Sequence, residues 1–108
     1  MATNYRTEQA VSIANTEVDL ATVGTCTFGQ ILSIFICNRG AVQDAFTITL
    51  SVGGGATATK DYLYSGITIA ANDTFLITTP IFIHTGDVIR VKSTTNSITY
   101  TISFTETT

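Results

Sequence analysis

His84 is the only histidine of the chain, and Cys26 and Cys37 are its only thiols. Nucleophilic catalysis of the Ser-His-Asp or Cys-His kind needs an imidazole beside a hydroxyl or thiol. His84 stands between Ile83 and Thr85, at what reads as a strand end, with no nucleophile at a recognisable spacing. It reads as a partly exposed structural side chain. The cysteines lie 11 positions apart, with no CxxC and no neighbouring His. That spacing argues against zinc. Whether Cys26 and Cys37 pair is open at this level. The simpler reading is a buried free thiol at Cys37, inside an apolar strand, and a loop residue at Cys26. The carboxylates are Glu8, Glu17, Asp19, Asp44, Asp61, Asp73, Asp87 and Glu106. Most fall in predicted turns or at outward positions, not as a pair flanking a sugar site. Gly53-Gly54-Gly55-Ala56-Thr57-Ala58-Thr59-Lys60 looks superficially like a phosphate loop. It lacks the Gly before the Lys, has Asp61 where a hydroxyl is needed, and leads into no helical pattern. Asn72-Asp73-Thr74 fits a glycosylation sequon, which has no force without a secretory route. Calcium needs several converging oxygens, and Asp73 and Asp87 do not supply them. The inventory points to no enzyme, no metal and no cofactor.

The elements that would position any site are β-strands. Of 108 residues, 22 are Thr, 13 Ile and 7 Val. Branching at Cβ favours strands. Length predicts one domain. Charged residues make up 12%, about half the usual share, and the net charge is −3. Five basic residues on an acidic chain argue against an electrostatic nucleic-acid binder. No apolar run is long enough for a membrane-spanning helix. The first residues lack the pattern of a signal peptide, so synthesis and assembly in a reducing cytoplasm are expected.

Period-2 alternation dominates. Ile98, Tyr100, Ile102 and Phe104 alternate with Thr99, Thr101, Ser103 and Thr105; Phe46, Ile48, Leu50 and Val52 alternate with Thr47, Thr49 and Ser51. Ile31–Cys37, Thr74–Ile77 and Ile81–Ile83 are apolar on both faces, which implies cover on both sides or an interface. With turn signals between them, strands are expected near 16–23, 30–38, 44–52, 60–69, 74–83, 87–93 and 97–106. An extended arm over residues 1–15, with a possible strand at 4–13, precedes the sandwich domain of 16–108. The predicted fold is all-β: an antiparallel β-sandwich of seven or eight strands, jelly-roll or immunoglobulin-like. If Leu32, Ile34 and Ile36 point inward, Ile31 and Phe35 face a partner; the reverse register fits nearly as well. A strand–Asp-turn–strand pattern, Ile67-x-Ile69-x-x-x-Asp73-x-Phe75, recurs as Ile81-x-Ile83-x-x-x-Asp87-x-Ile89. It predicts a tandem up-and-down meander whose Asp side chains bond their own turns.

From position 16 onward several stretches occur in a characteristic order: Asp19–Val23, Gln30–Gly40 ending in Cys-Asn-Arg-Gly, Lys60-Asp61-Tyr62-Leu63-Tyr64, Ile69–Phe75 with its Ala-Asn-Asp-Thr turn, and Thr85–Val91 with Gly-Asp-Val-Ile. In these motifs the chain resembles a group of small β-sandwich virion structural proteins of tailed bacteriophages. It departs from that group at Gly24–Thr27, where a Pro-Ala-Gly-like turn is more usual. The resemblance implies a non-enzymatic virion protein: a capsid decoration (cement) protein that self-associates and bridges capsid subunits. The alternatives are a neck, tail, baseplate or fibre component, or a carbohydrate-binding module for host attachment on Tyr62 and Tyr64.

A surface of Thr and Ser with few charges, on strands apolar on both faces, points to assembly with other chains. The expected partners are further copies of the chain, as a trimer or dimer, and the major capsid protein or other virion proteins; nucleic acid and membrane are not expected. The residues expected to carry these contacts are Tyr5 and Arg6 in the arm, with Phe28, Phe35, Tyr62 and Phe82 as aromatic anchors.

Overall fold

The computed structural model describes residues 2–108. Nine strands form: β1 (Thr3–Val11), β2 (Val18–Thr22), β3 (Phe28–Asn38), β4 (Asp44–Ser51), β5 (Tyr62–Ile69), β6 (Thr74–Ile77), β7 (Ile81–Ile83), β8 (Val88–Ser93) and β9 (Ile98–Thr107). One sheet runs β1-β9-β3-β6, with β7 also on β3; the other runs β2-β8-β4-β5. Every pairing between these strands is antiparallel. The pairs β1–β9, β2–β8, β3 with β6 and β7, and β4–β5 are nested. The chain is one long hairpin, closed at β4–β5 and rolled into two sheets, which is the jelly-roll arrangement.

The core follows from the alternation. Ile98, Tyr100, Ile102 and Phe104 of β9 point between the sheets and are fully buried, facing Phe46, Ile48, Ile89 and Val91 of the other sheet. Phe46 meets Phe75 edge to face, with ring centroids 5.3 Å apart. Each large apolar side chain buried this way contributes about 1.5–3 kcal/mol. Two short 3-10 turns, Val52–Gly54 and Thr59–Asp61, lie in the β4–β5 connection.

With the arm counted as the eighth strand, the structure has one strand more than expected. Residues 3–11 of the expected arm lie along β9 as β1, in unbroken register from Thr3↔Thr107 to Val11↔Thr99. The expected strand 74–83 is two strands, because Thr78–Pro80 leave the sheet; Pro80 has no N–H for the ladder. Opposite this break β3 carries a bulge: Ile31 pairs with Phe104 and Ser33 with Ser103, leaving Leu32 between them unpaired.

The bulge also overturns both expected registers of β3. Each assumed regular alternation. The extra residue shifts the parity, so Ile31, Ile34 and Ile36 all point inward while Leu32 and Phe35 point outward. The expected meander is likewise replaced. β5 pairs with β4 in one sheet and β6 with β3 in the other; β7 and β8 are divided the same way. Each echo unit is therefore a corner between sheets. Asp87 does hold its own turn, accepting from the His84 N–H at 2.9 Å, and it also accepts from the Gly53 N–H at 2.9 Å.

Cys26 and Cys37 are both free. Cys26 lies just before the eleven-residue β3 and Cys37 near its far end, a separation of roughly 30 Å that no disulfide spans. Cys37 is half-buried rather than buried, because it faces outward between Thr99 and Thr74.

Candidate interaction surface

The outer face of the first sheet is built by register. Because β9 buries its even positions from Ile98 to Phe104, its Thr and Ser residues form an outward column of hydroxyls. Pairing extends that column into rows across the sheet. One row runs Tyr5–Thr105–Gln30–Phe82 and another Gln9–Thr101–Phe35–Leu76. Thr7–Ser103–Ser33 lies between them. Beyond the first row, Phe28 stands opposite Thr107. Charged side chains are absent from all these rows. The hydroxyls and amides centre on β9, and the apolar groups lie to either side.

Four of the six expected anchors come together here. Tyr5 is 77% exposed, Phe28 40%, Phe35 45% and Phe82 66%. Leu32 at the bulge and Leu76 of β6 join them as exposed apolar groups. Leu32 and Leu76 were not among the expected anchors. The signal for both was the doubly apolar runs, Thr74–Ile77 for Leu76 and Ile31–Cys37 for Leu32; which side Leu32 takes depended on the bulge, which is not visible in one strand alone.

Arg6 is elsewhere. It belongs to the even, inward side of β1 and sits at the seam between the sheets. Its guanidinium donates to Glu8 at 2.9 Å and Glu106 at 3.0 Å, and lies 4.9 Å from the centroid of the Phe104 ring. The bond it donates to Glu8, together with the Glu106 charge, raises its pKa above the ordinary value despite partial desolvation. Tyr62 is also separate, on the outer face of the second sheet opposite Thr49. Tyr64 turns inward against the core, so Tyr62 and Tyr64 form no shared platform.

The second sheet's outer face differs in kind. Arg90 lies there, donating to Asp19 at 2.9 Å, to the Ser51 hydroxyl at 2.8 Å and to the Gly55 carbonyl at 2.7 Å. These bonds fold the glycine-rich loop back over the sheet. The segment that looked like a phosphate loop is thus bound by the chain's own arginine. A hollow beside β1 and β9 is lined by Gln9, Ala10, Val11, Thr99, Tyr100 and Thr101, a set without an acid–base pair. Among the described residues, no three His, Cys, Asp or Glu side chains converge.

No protein-family model matches the chain, and no curated protein matches it. Solved structures do. A structure of infectious bursal disease virus, Gx strain, matches with a TM-score of 0.57 and 12% identity over 98% of this chain and 33% of that one. The T13 particle of the same virus matches with a TM-score of 0.57 and 10% identity over 97% of this chain and 31% of that one. The likeness is one of fold, and the chain spans about one third of the length of these viral chains.

Proposed function

We propose that this chain is a non-enzymatic structural subunit of a virus particle, and more narrowly a bacteriophage capsid decoration protein that self-associates and bridges capsid subunits. The observation that carries the reading is the uncharged outer face of the first sheet, where Tyr5, Phe28, Phe35, Leu76 and Phe82 stand exposed in register around a hydroxyl column. An uncharged face with this many exposed large apolar side chains is unusual on a protein that works alone. Its mixture of aromatic anchors and short hydroxyls suits a packed protein contact. The jelly-roll fold shared with the viral particle structures supports the same reading, as do the phage-like sequence motifs. A neck or tail position uses the same face with fewer copies.

The test is binding of the purified chain to capsid shells assembled without it. Wild type is expected to co-sediment with shells in a saturable way. Phe35→Lys and Phe82→Lys, each of which adds a charge to the face without touching the core, are expected to lose that binding while remaining folded. Binding that survives both substitutions would sink the face as the contact.

A further inference from the structure

We infer that two copies of this chain pair edge to edge through β1, antiparallel about a two-fold axis at Thr7, and so join their first sheets into one. The inference specifies a contact for the self-association proposed above. It rests on that reading only for its biological use; its physical basis is the edge strand itself.

β1 is an edge strand over nine residues. Ser12 N–H donates to Ile98 C=O at 2.8 Å, and Thr108 N–H to Ala2 C=O at 2.8 Å. These bonds flank β1 and fix which residues face β9. By alternation, even-numbered residues bond to β9 and the N–H and C=O groups of Thr3, Tyr5, Thr7, Gln9 and Val11 point away from it. Among the described residues those groups meet no other backbone. Proteins that keep such an edge single usually protect it with Pro, Lys, a bulge or a short strand. β1 has none of these; it carries two charged side chains, Arg6 and Glu8, on its inward side, but they are held by one another and by Glu106, and its register with β9 is unbroken.

Charge selects the partner and the register. An antiparallel pairing of two β1 strands must set odd residues opposite odd ones, since only these have free backbone groups. With the axis on Thr7, Thr7 faces its own copy, Tyr5 faces Gln9 and Thr3 faces Val11. Arg6 then stands opposite Glu8 of the second copy, and Glu8 opposite its Arg6. Both side chains are partly exposed, so they are within reach. Moving the axis by one residue sets Arg6 against Arg6, or Glu8 against Glu8, and like charges directly opposite destabilise a strand pair. The Thr7 axis also gives the full nine-residue overlap. A two-fold, self-complementary contact is the commonest form of subunit association. In this register the Tyr5–Thr105–Gln30–Phe82 row of one copy continues into the Gln9–Thr101–Phe35–Leu76 row of the other. The uncharged face is thereby doubled without a break.

The experiment is sedimentation equilibrium on the intact chain over a dilution series, for wild type, Thr7→Pro, Glu8→Arg and Phe35→Lys, with circular dichroism to confirm folding. Thr7→Pro removes an N–H that points off the sheet, so the pair with β9 is kept. Glu8→Arg sets like charge against Arg6 of the second copy and gives a second variant with an intact backbone. Wild type is expected to dimerise, both edge variants to dissociate at least about tenfold more readily, and Phe35→Lys to dimerise as wild type does. A wild type that is monomeric throughout overturns the pairing. So does a dimer lost in Phe35→Lys but kept in both edge variants, although that result leaves the functional reading standing. A dimer sensitive to both edge variants that never binds capsid shells upholds the pairing and overturns the functional reading.

Discussion

The Glu106 carboxylate accepts from the Arg6 guanidinium at 3.0 Å, and the same oxygen accepts from the Gly24 N–H at 2.6 Å. One side chain thus ties β1, β9 and the loop after β2 at the seam of the sandwich. Glu106 is buried, and its removal leaves the half-buried Gly24 N–H without this acceptor and the Arg6 guanidinium with Glu8 as its remaining carboxylate. Glu106→Ala is expected to cost about 1–3 kcal/mol, read as a lower urea midpoint with unchanged slope.

Asp44 opens β4 and anchors the turn between β8 and β9. Its Oδ2 accepts from the Thr95 hydroxyl at 2.5 Å, and its Oδ1 from the Ala45 N–H at 2.6 Å and from the Thr94 hydroxyl. Burial pushes its pKa up, but these hydrogen bonds together outweigh burial and hold it below the ordinary 3.8. The folded state therefore releases this proton more readily than the unfolded chain. The stabilisation is complete above the unfolded value, and it is lost as the pH falls through 3.8 toward the lower folded value. Asp44→Asn is expected to be less stable at neutral pH and to show a shallower loss on acidification. Urea midpoints measured at a series of pH values check both.

Gly29 lies in β3 where a Cβ would stand 2.2 Å from the Thr105 carbonyl oxygen and 3.0 Å from the Ile83 side chain. The obstruction is ladder backbone, which has no room to yield. Gly29→Ala is expected to destabilise by about 2 kcal/mol or more, measured by thermal or urea unfolding. Gly55→Ala, at a site with open space around the added carbon, is the control and should stay near wild type.

The hydroxyls of Tyr100 and Thr49 are buried without a hydrogen-bond partner. Removing such a group is neutral or stabilising, since no bond is lost and its desolvation is relieved. Tyr100→Phe and Thr49→Val are expected to match or exceed wild-type stability at pH 7. Burial pushes the Tyr100 phenol up to about 12, against an ordinary value of 10.0. Its neutral form is thus favoured in the fold; that contribution is complete below pH 10 and lost as the pH rises toward 12. Tyr100→Phe should be spared this part of the alkaline loss, seen as a higher unfolding midpoint above pH 10.

Sandwich architecture and the faces of the regular strands were legible in the residues themselves. In 98–105 the alternation of Ile, Tyr and Phe with Thr and Ser decides which side is buried, because side-chain direction has period 2 and needs no knowledge of the neighbour. The turn residues likewise placed most strand ends. Tertiary structure alone decided how the strands are shared between sheets, and so turned two echoing strand–turn–strand units into corners. It also decided the parity of β3, where the bulge at Leu32 sends Ile31 and Ile34 to the same side. A bulge is defined by two residues facing one on a partner strand, and one strand's sequence does not contain its partner. Period 2 alone sets the adjacent Tyr5 and Arg6 of the arm strand on opposite sides; the pairing with β9 decided that Tyr5 takes the open face and Arg6 the seam, because the arm's sequence does not contain its partner.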